Sequence, residues 1–162
     1  MKLDIKSYTG VGDILFTDSK ENIVLKLKQY ETDQINSEYI AFKGSGLIVC
    51  FDSNNVCQCV NISGFSYGRS SGDYSNVFLD NVNLSWNFTK VFEQLKGMSS
   101  NYQEYGDYTK NFVFLDIGIC ISVSDINVEE DEDGNETIIY DEDWSGIAVF
   151  RKDFDFITGF NL

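Results

Sequence analysis

Between residues 85 and 98, Phe88, Val91, Phe92, Leu95 and Met98 recur at three- and four-residue steps, so a helix there has one bulky apolar face. Ser85 can cap it by accepting a hydrogen bond from a first-turn amide, and Gly97 stands where such a helix ends. Nearly everything regular on either side reads as strand. A lone strong amphipathic helix between strand-rich flanks restricts the options: the strands form a sheet with an apolar face, and the helix covers that face. A second helix is read at residues 19–30, capped by Asp18 or Ser19, with Ile23, Val24, Leu27 and Tyr30 on one side. Strands are expected around residues 3–8, 39–43, 47–51, 56–62, 77–84, 111–115, 118–123, 127–130, 137–140 and 147–150, with a brief extended run at 13–16. The polar segments 31–38 and 99–110 read as loops, the second carrying Tyr102, Tyr105 and Tyr108.

The two halves repeat one order of elements. Residues 16–28 align with 84–96 at an offset of 68, pairing Ile23 with Val91, Leu27 with Leu95 and Lys28 with Lys96. A longer loop in the second half then shifts the offset to 72, pairing Ile40 with Phe112, Phe42 with Phe114, Gly46 with Gly118 and Ile48 with Cys120. One such unit cannot bury both a helix face and a sheet face, whereas two side by side can. The expected fold class is therefore α+β: two tandem helix-plus-antiparallel-strand units forming a sheet covered by two helices. The chain is expected to be a single domain, residues 1–162, with repeat-like halves 1–63 and 77–151. A Gly/Ser-rich linker at 64–76 joins them, and a C-terminal tail at 152–162 packs on the body.

This layout resembles the β-lactamase-inhibitor-like arrangement of tandem helix-plus-strand units. The run Gly10-Val11-Gly12-Asp13-Ile14-Leu15-Phe16, leading directly into a capped helix, also resembles the opening of small bacterial immunity proteins. Those proteins neutralise toxins of contact-dependent or polymorphic delivery systems. A Gly-Met-Ser/Thr step commonly precedes the helix in such families, and Thr17-Asp18-Ser19 stands in its place here. The resemblance implies a non-enzymatic inhibitor of a protein partner.

Net charge is −14 and unevenly placed: residues up to Asp80 carry −3, and those from Asn81 onward carry −11. A field of that sign repels nucleic-acid phosphates and anionic membranes and attracts basic partners. Most of the excess lies between Ile126 and Trp144, in Glu129, Glu130, Asp131, Glu132, Asp133, Glu136, Asp141, Glu142 and Asp143, a segment the first half lacks. Turn chemistry at Asp133-Gly134-Asn135 predicts a protruding acidic hairpin. Glu129, Asp131, Asp133 and Gly134 match positions 1, 3, 5 and 6 of a calcium loop. Tyr140, however, stands where the bidentate Glu belongs, and strands replace the flanking helices.

Catalytic chemistry is poorly supplied. The chain has no His, so Ser-His-Asp and Cys-His arrangements are excluded, and no phosphate-binding glycine loop occurs. Cys50, Cys57, Cys59 and Cys120 sit inside apolar runs and read as buried reduced thiols rather than zinc ligands. No metal and no cofactor is expected. Charges at Lys2, Asp4 and Lys6 stand where a secretory leader has its apolar run, so a cytoplasmic location is expected. The function expected is that of an acidic immunity protein blocking a basic, nuclease-type toxin. Its contact residues would be the nine carboxylates above, with Trp144, Tyr102 and Tyr105 as anchors. A structural or assembly subunit of a phage or secretion system is the alternative, and a carboxylate-based hydrolase a third.

Overall fold

The computed structural model describes residues 3–34, 36–63, 77–84, 87–106, 109–123, 126–140 and 146–155. Strands β1 (Leu3–Lys6), β2 (Gly10–Val11) and β3 (Ile14–Leu15) lead into helix α1 (Lys20–Lys26). β4 (Thr32–Gln34), β5 (Tyr39–Phe42), β6 (Leu47–Phe51) and β7 (Cys57–Ser63) follow. β8 (Val77–Leu79) and β9 (Val82–Asn83) lead into α2 (Phe88–Met98), and then come β10 (Tyr102–Tyr105), β11 (Lys110–Phe114) and β12 (Ile119–Val123). β13 (Ile126–Glu130), β14 (Glu136–Tyr140) and β15 (Gly146–Phe150) are the last among the described residues.

These strands form an eight-stranded sheet in the order β10-β11-β12-β15-β7-β6-β5-β4 and a five-stranded sheet in the order β3-β2-β1-β8-β9. β13 and β14 make a separate two-stranded ribbon. Every pairing is antiparallel except β1 with β8.

The fold is therefore mostly β, and the expected α+β class with one sheet covered by two helices is corrected. Geometry explains why helices alone do not suffice. Eight strands at about 4.8 Å spacing span roughly 38 Å, and two helices about 10 Å across cover only about half of that. The second sheet covers the rest. Ile5, Val11, Ile14, Val77 and Leu79 from it pack with Ile23 of α1 and Phe88, Val91 and Leu95 of α2. All of them meet Phe42, Val49, Ile62, Phe112, Ile121 and Val149 of the larger sheet in one core.

Equivalent local structures flank this core. Ser19 caps α1 by accepting from the amide of Asn22 at 3.3 Å, and Asn87 caps α2 by accepting from the amide of Lys90 at 3.1 Å. The α2 cap is thus Asn87 rather than Ser85, which lies outside the described residues, and Gly97 falls inside the helix. Just before each helix, an amide closes a small hairpin: Phe16 donates to the Thr9 carbonyl and Leu84 to the Val77 carbonyl. At the centre of the larger sheet β7 runs antiparallel to β15, with Val60 opposite Val149, Asn61 opposite Ala148 and Ile62 opposite Ile147. From that seam the strands run outward in matching order, β7-β6-β5-β4 on one side and β15-β12-β11-β10 on the other.

The segment expected as a linker, 64–76, lies outside the described residues, as does the tail beyond residue 155. Phe154, at the end of the described tail, is buried against Phe150. Among the described residues no helix is long and apolar enough to cross a membrane.

Candidate functional site

β6 and β7 are joined by a tight turn, whereas the corresponding β12–β15 connection carries the β13–β14 ribbon. Both turns are built the same way. Asp52 Oδ1 accepts from the amides of Asn54 (2.9 Å) and Val56 (3.0 Å), and Asn55 adopts a left-handed backbone with φ 58. At the ribbon tip, Asp131 Oδ1 accepts from the amides of Asp133 (2.9 Å) and Asn135 (2.8 Å), and Gly134 takes the left-handed position with φ 80. The Asn135 side chain also donates to Asp131, and these bonds hold its carboxyl below the ordinary carboxylate value. Asp131 is thus the turn's acceptor, and its role is to shape the ribbon.

The other described carboxylates of the ribbon have no such role in the turn. Glu129, Glu130, Glu132, Asp133 and Glu136 are exposed, and residues 126–140 contain no Lys or Arg. Among the described residues, ion pairs sit on the body instead: Lys26 with Asp18, Lys43 with Glu31, Lys96 with Glu93, Lys110 with Glu104, and Arg151 with Asp52 and Asp153. Glu130 lies directly opposite Glu136 across the ribbon, a like-charge pair that destabilises the isolated hairpin. Val128 (56% exposed) and Ile139 (39%) stand among these acids. Both fall in strands expected from the sequence, 127–130 and 137–140, yet neither is among the expected contact residues.

Replacing Asp131 with Ala removes the same charge as replacing Glu132 with Ala but also removes the turn's acceptor. Asp131→Ala is expected to broaden or lose the amide resonances of 131–135, while Glu132→Ala leaves them in place. Identical spectra for the two variants would refute the assigned role.

Comparison with known proteins finds no match: no family model, no curated protein and no solved structure is significantly similar to this chain.

The tyrosine anchors are separated by the sheet. Tyr102 faces α2, with its ring 5.3 Å from that of Phe92 and 5.4 Å from that of Phe114, so it roofs the core. Tyr105 packs on the opposite face, against the cluster of Cys50, Cys59, Val113, Cys120, Ala148 and Phe150. It lies in the row Tyr105, Asn111, Ser122, Gly146, at the end of the sheet where the ribbon leaves and returns. The structure brings Tyr105, not Tyr102, toward the acidic element. Asp141, Glu142, Asp143 and Trp144 lie outside the described residues.

Other chemistry-bearing groups are structurally committed. All four cysteines are free and buried. Burial pushes the thiols of Cys57 and Cys120 up to about 12, and those of Cys50 and Cys59 are also raised, so all stay protonated and unreactive at neutral pH. Asp18 is buried, accepting from the Leu15 amide (2.7 Å) and from Lys26 Nζ (2.6 Å). A cavity of about 300 Å³ lies beside this pair, floored by Leu3, Val11, Ile14 and Leu27. Lys26 at its rim is held by Asp18 and by the Asp13 carbonyl. Among the described residues, no three or more Cys, Asp or Glu gather as metal ligands.

Proposed function

We propose that this chain is a non-enzymatic acidic binding protein whose β13–β14 ribbon engages a basic protein partner. The resemblance of its first helix entry to immunity proteins suggests what the partner is: a nuclease-type toxin domain that the chain blocks. The carrying observation is the contrast in charge pairing. Six carboxylates on the body (Asp18, Glu31, Asp52, Glu93, Glu104 and Asp153) are held in ion pairs with Lys or Arg, whereas five exposed carboxylates cluster on the ribbon with no basic residue within the element. Unpaired like charge on a projecting element steers a cationic partner and presents it with a phosphate-like surface. The protonated thiols and the lack of His support a binding role over a catalytic one.

The direct test is co-expression with the product of the reading frame adjacent to its gene. Growth is expected to be restored by the wild-type chain and lost again when Glu130, Glu132 and Asp133 are each replaced by Lys. In stopped-flow measurements the triple variant should associate about tenfold more slowly or worse, and the wild-type rate should fall as salt shortens the screening length. Association rates that ignore both salt and charge reversal would refute steering by the ribbon.

A further inference from the structure

Among the described residues, the β13–β14 ribbon hydrogen-bonds to no other strand, so each of its strands keeps one edge of unpaired amides and carbonyls. The other sheet margins are poorer templates. β3 and β9, at the ends of the five-stranded sheet, are two residues long, and β4 has three. β10 commits Glu104 to Lys110 and Tyr102 to the core. β13 has five residues, and those from Asn127 to Glu130 are all exposed. A two-stranded ribbon is marginal in water, and a third strand completes it.

We propose that β13 is the acceptor edge for strand addition by an extended basic segment of the partner. This rests on the binding role proposed above and specifies its geometry. Alternation along β13 places Val128 and Glu130 on one face and Glu129 on the other. The incoming strand therefore carries Lys or Arg opposite Glu129 and Glu130 and an apolar residue opposite Val128. Charge selects this occupant over a second copy of the chain. Another ribbon would set glutamates against glutamates in an element already strained by Glu130 facing Glu136.

The probe is a capped peptide containing Lys-Lys-Val-Lys, which can set Lys opposite Glu129 and Glu130 and Val opposite Val128, compared with the same peptide N-methylated at every backbone amide. Both carry the same charge, and only the first can donate to a strand edge. With the full chain at low salt, the unmethylated peptide is expected to bind at least tenfold more tightly, by fluorescence anisotropy. It should also slow hydrogen exchange at β13 amides, and Val128→Ser should weaken it without changing the affinity of the methylated peptide. Equal affinity for the two peptides, or binding with unchanged exchange in β13, overturns strand addition and leaves charge-based recognition standing. Failure of both peptides to bind overturns the two readings together.

Discussion

Gly10→Ala is expected to lower folding stability by about 3 kcal/mol or more, the upper range for forcing atoms into a filled space. A Cβ at this position lies 2.0 Å from the Ile14 carbonyl oxygen and 3.0 Å from the Leu15 Cα. Those atoms are backbone of the paired strand, since Gly10 faces Leu15 in the β2–β3 hairpin, so no side chain can swing away. The hairpin must open, and with it goes Val11, which is buried in the main core. Gly44→Ala is the control. Gly44 has φ +76 with nothing within 4 Å of its Cβ position, so only the left-handed backbone penalty of about 1 kcal/mol applies. Urea denaturation of the two variants separates the effects, and equal midpoint shifts would show that the close approach at Gly10 relaxes freely.

How far the sequence shows this fold depends on the signal each element leaves. α1 and α2 are legible because their buried positions, Ile23 and the C-cap Leu27 in one and Phe88, Val91 and Leu95 in the other, keep helical spacing. β5, β6 and β7 are legible because they alternate or run apolar between turn residues. β4 and β10 are not. Thr32–Gln34 and Tyr102–Tyr105 are sheet margins, and their polar sequences look like loops because one side meets water. The five-stranded sheet escapes notice for another reason. Its hairpins contribute strands of two or three residues, too short to show a period, and its centre is the parallel pairing of Leu3 with Val77 and Ile5 with Leu79. No local pattern encodes a contact between residues so distant in sequence. That missing sheet is why two helices were expected to cover the large one.

The candidate site divides in the same way. Its charge is written in the composition, and the turn at its tip in Asp133-Gly134-Asn135. The division of labour among its acids is not, because Asp131 and Asp133 are the same residue type and only the folded turn shows which of them accepts. Likewise Tyr102 and Tyr105 are three residues apart on a strand and so lie on opposite faces. Reading their segment as a loop hid that parity.

Stability is expected to fall steeply as the pH rises above about 8.5, where an unfolded cysteine begins to ionise. In the folded chain, burial raises Cys57 and Cys120 to about 12. Around Cys57, the neighbouring Cys50 thiol and the Asp18 carboxylate add to the effect of burial. Between about 8.5 and 12 the folded state therefore holds protons that the unfolded state has lost, and each such thiol costs about 1.4 kcal/mol of stability per pH unit. The contribution is fully present below the unfolded value and vanishes as pH climbs toward the folded one. Two thiols together remove about 3 kcal/mol per unit, enough to unfold a domain of about 5–10 kcal/mol inside that window. Cys50 and Cys59, also raised by burial, act in the same direction. Cys57→Ala and Cys120→Ala should each flatten the alkaline slope and move the unfolding midpoint to higher pH. Both should also lose some stability at neutral pH through the small void each leaves. Slopes unchanged in both variants would assign alkaline unfolding to other groups. A flattened slope with a lower neutral stability would show that the thiols serve the large sheet as packing, which holds only while they keep their protons.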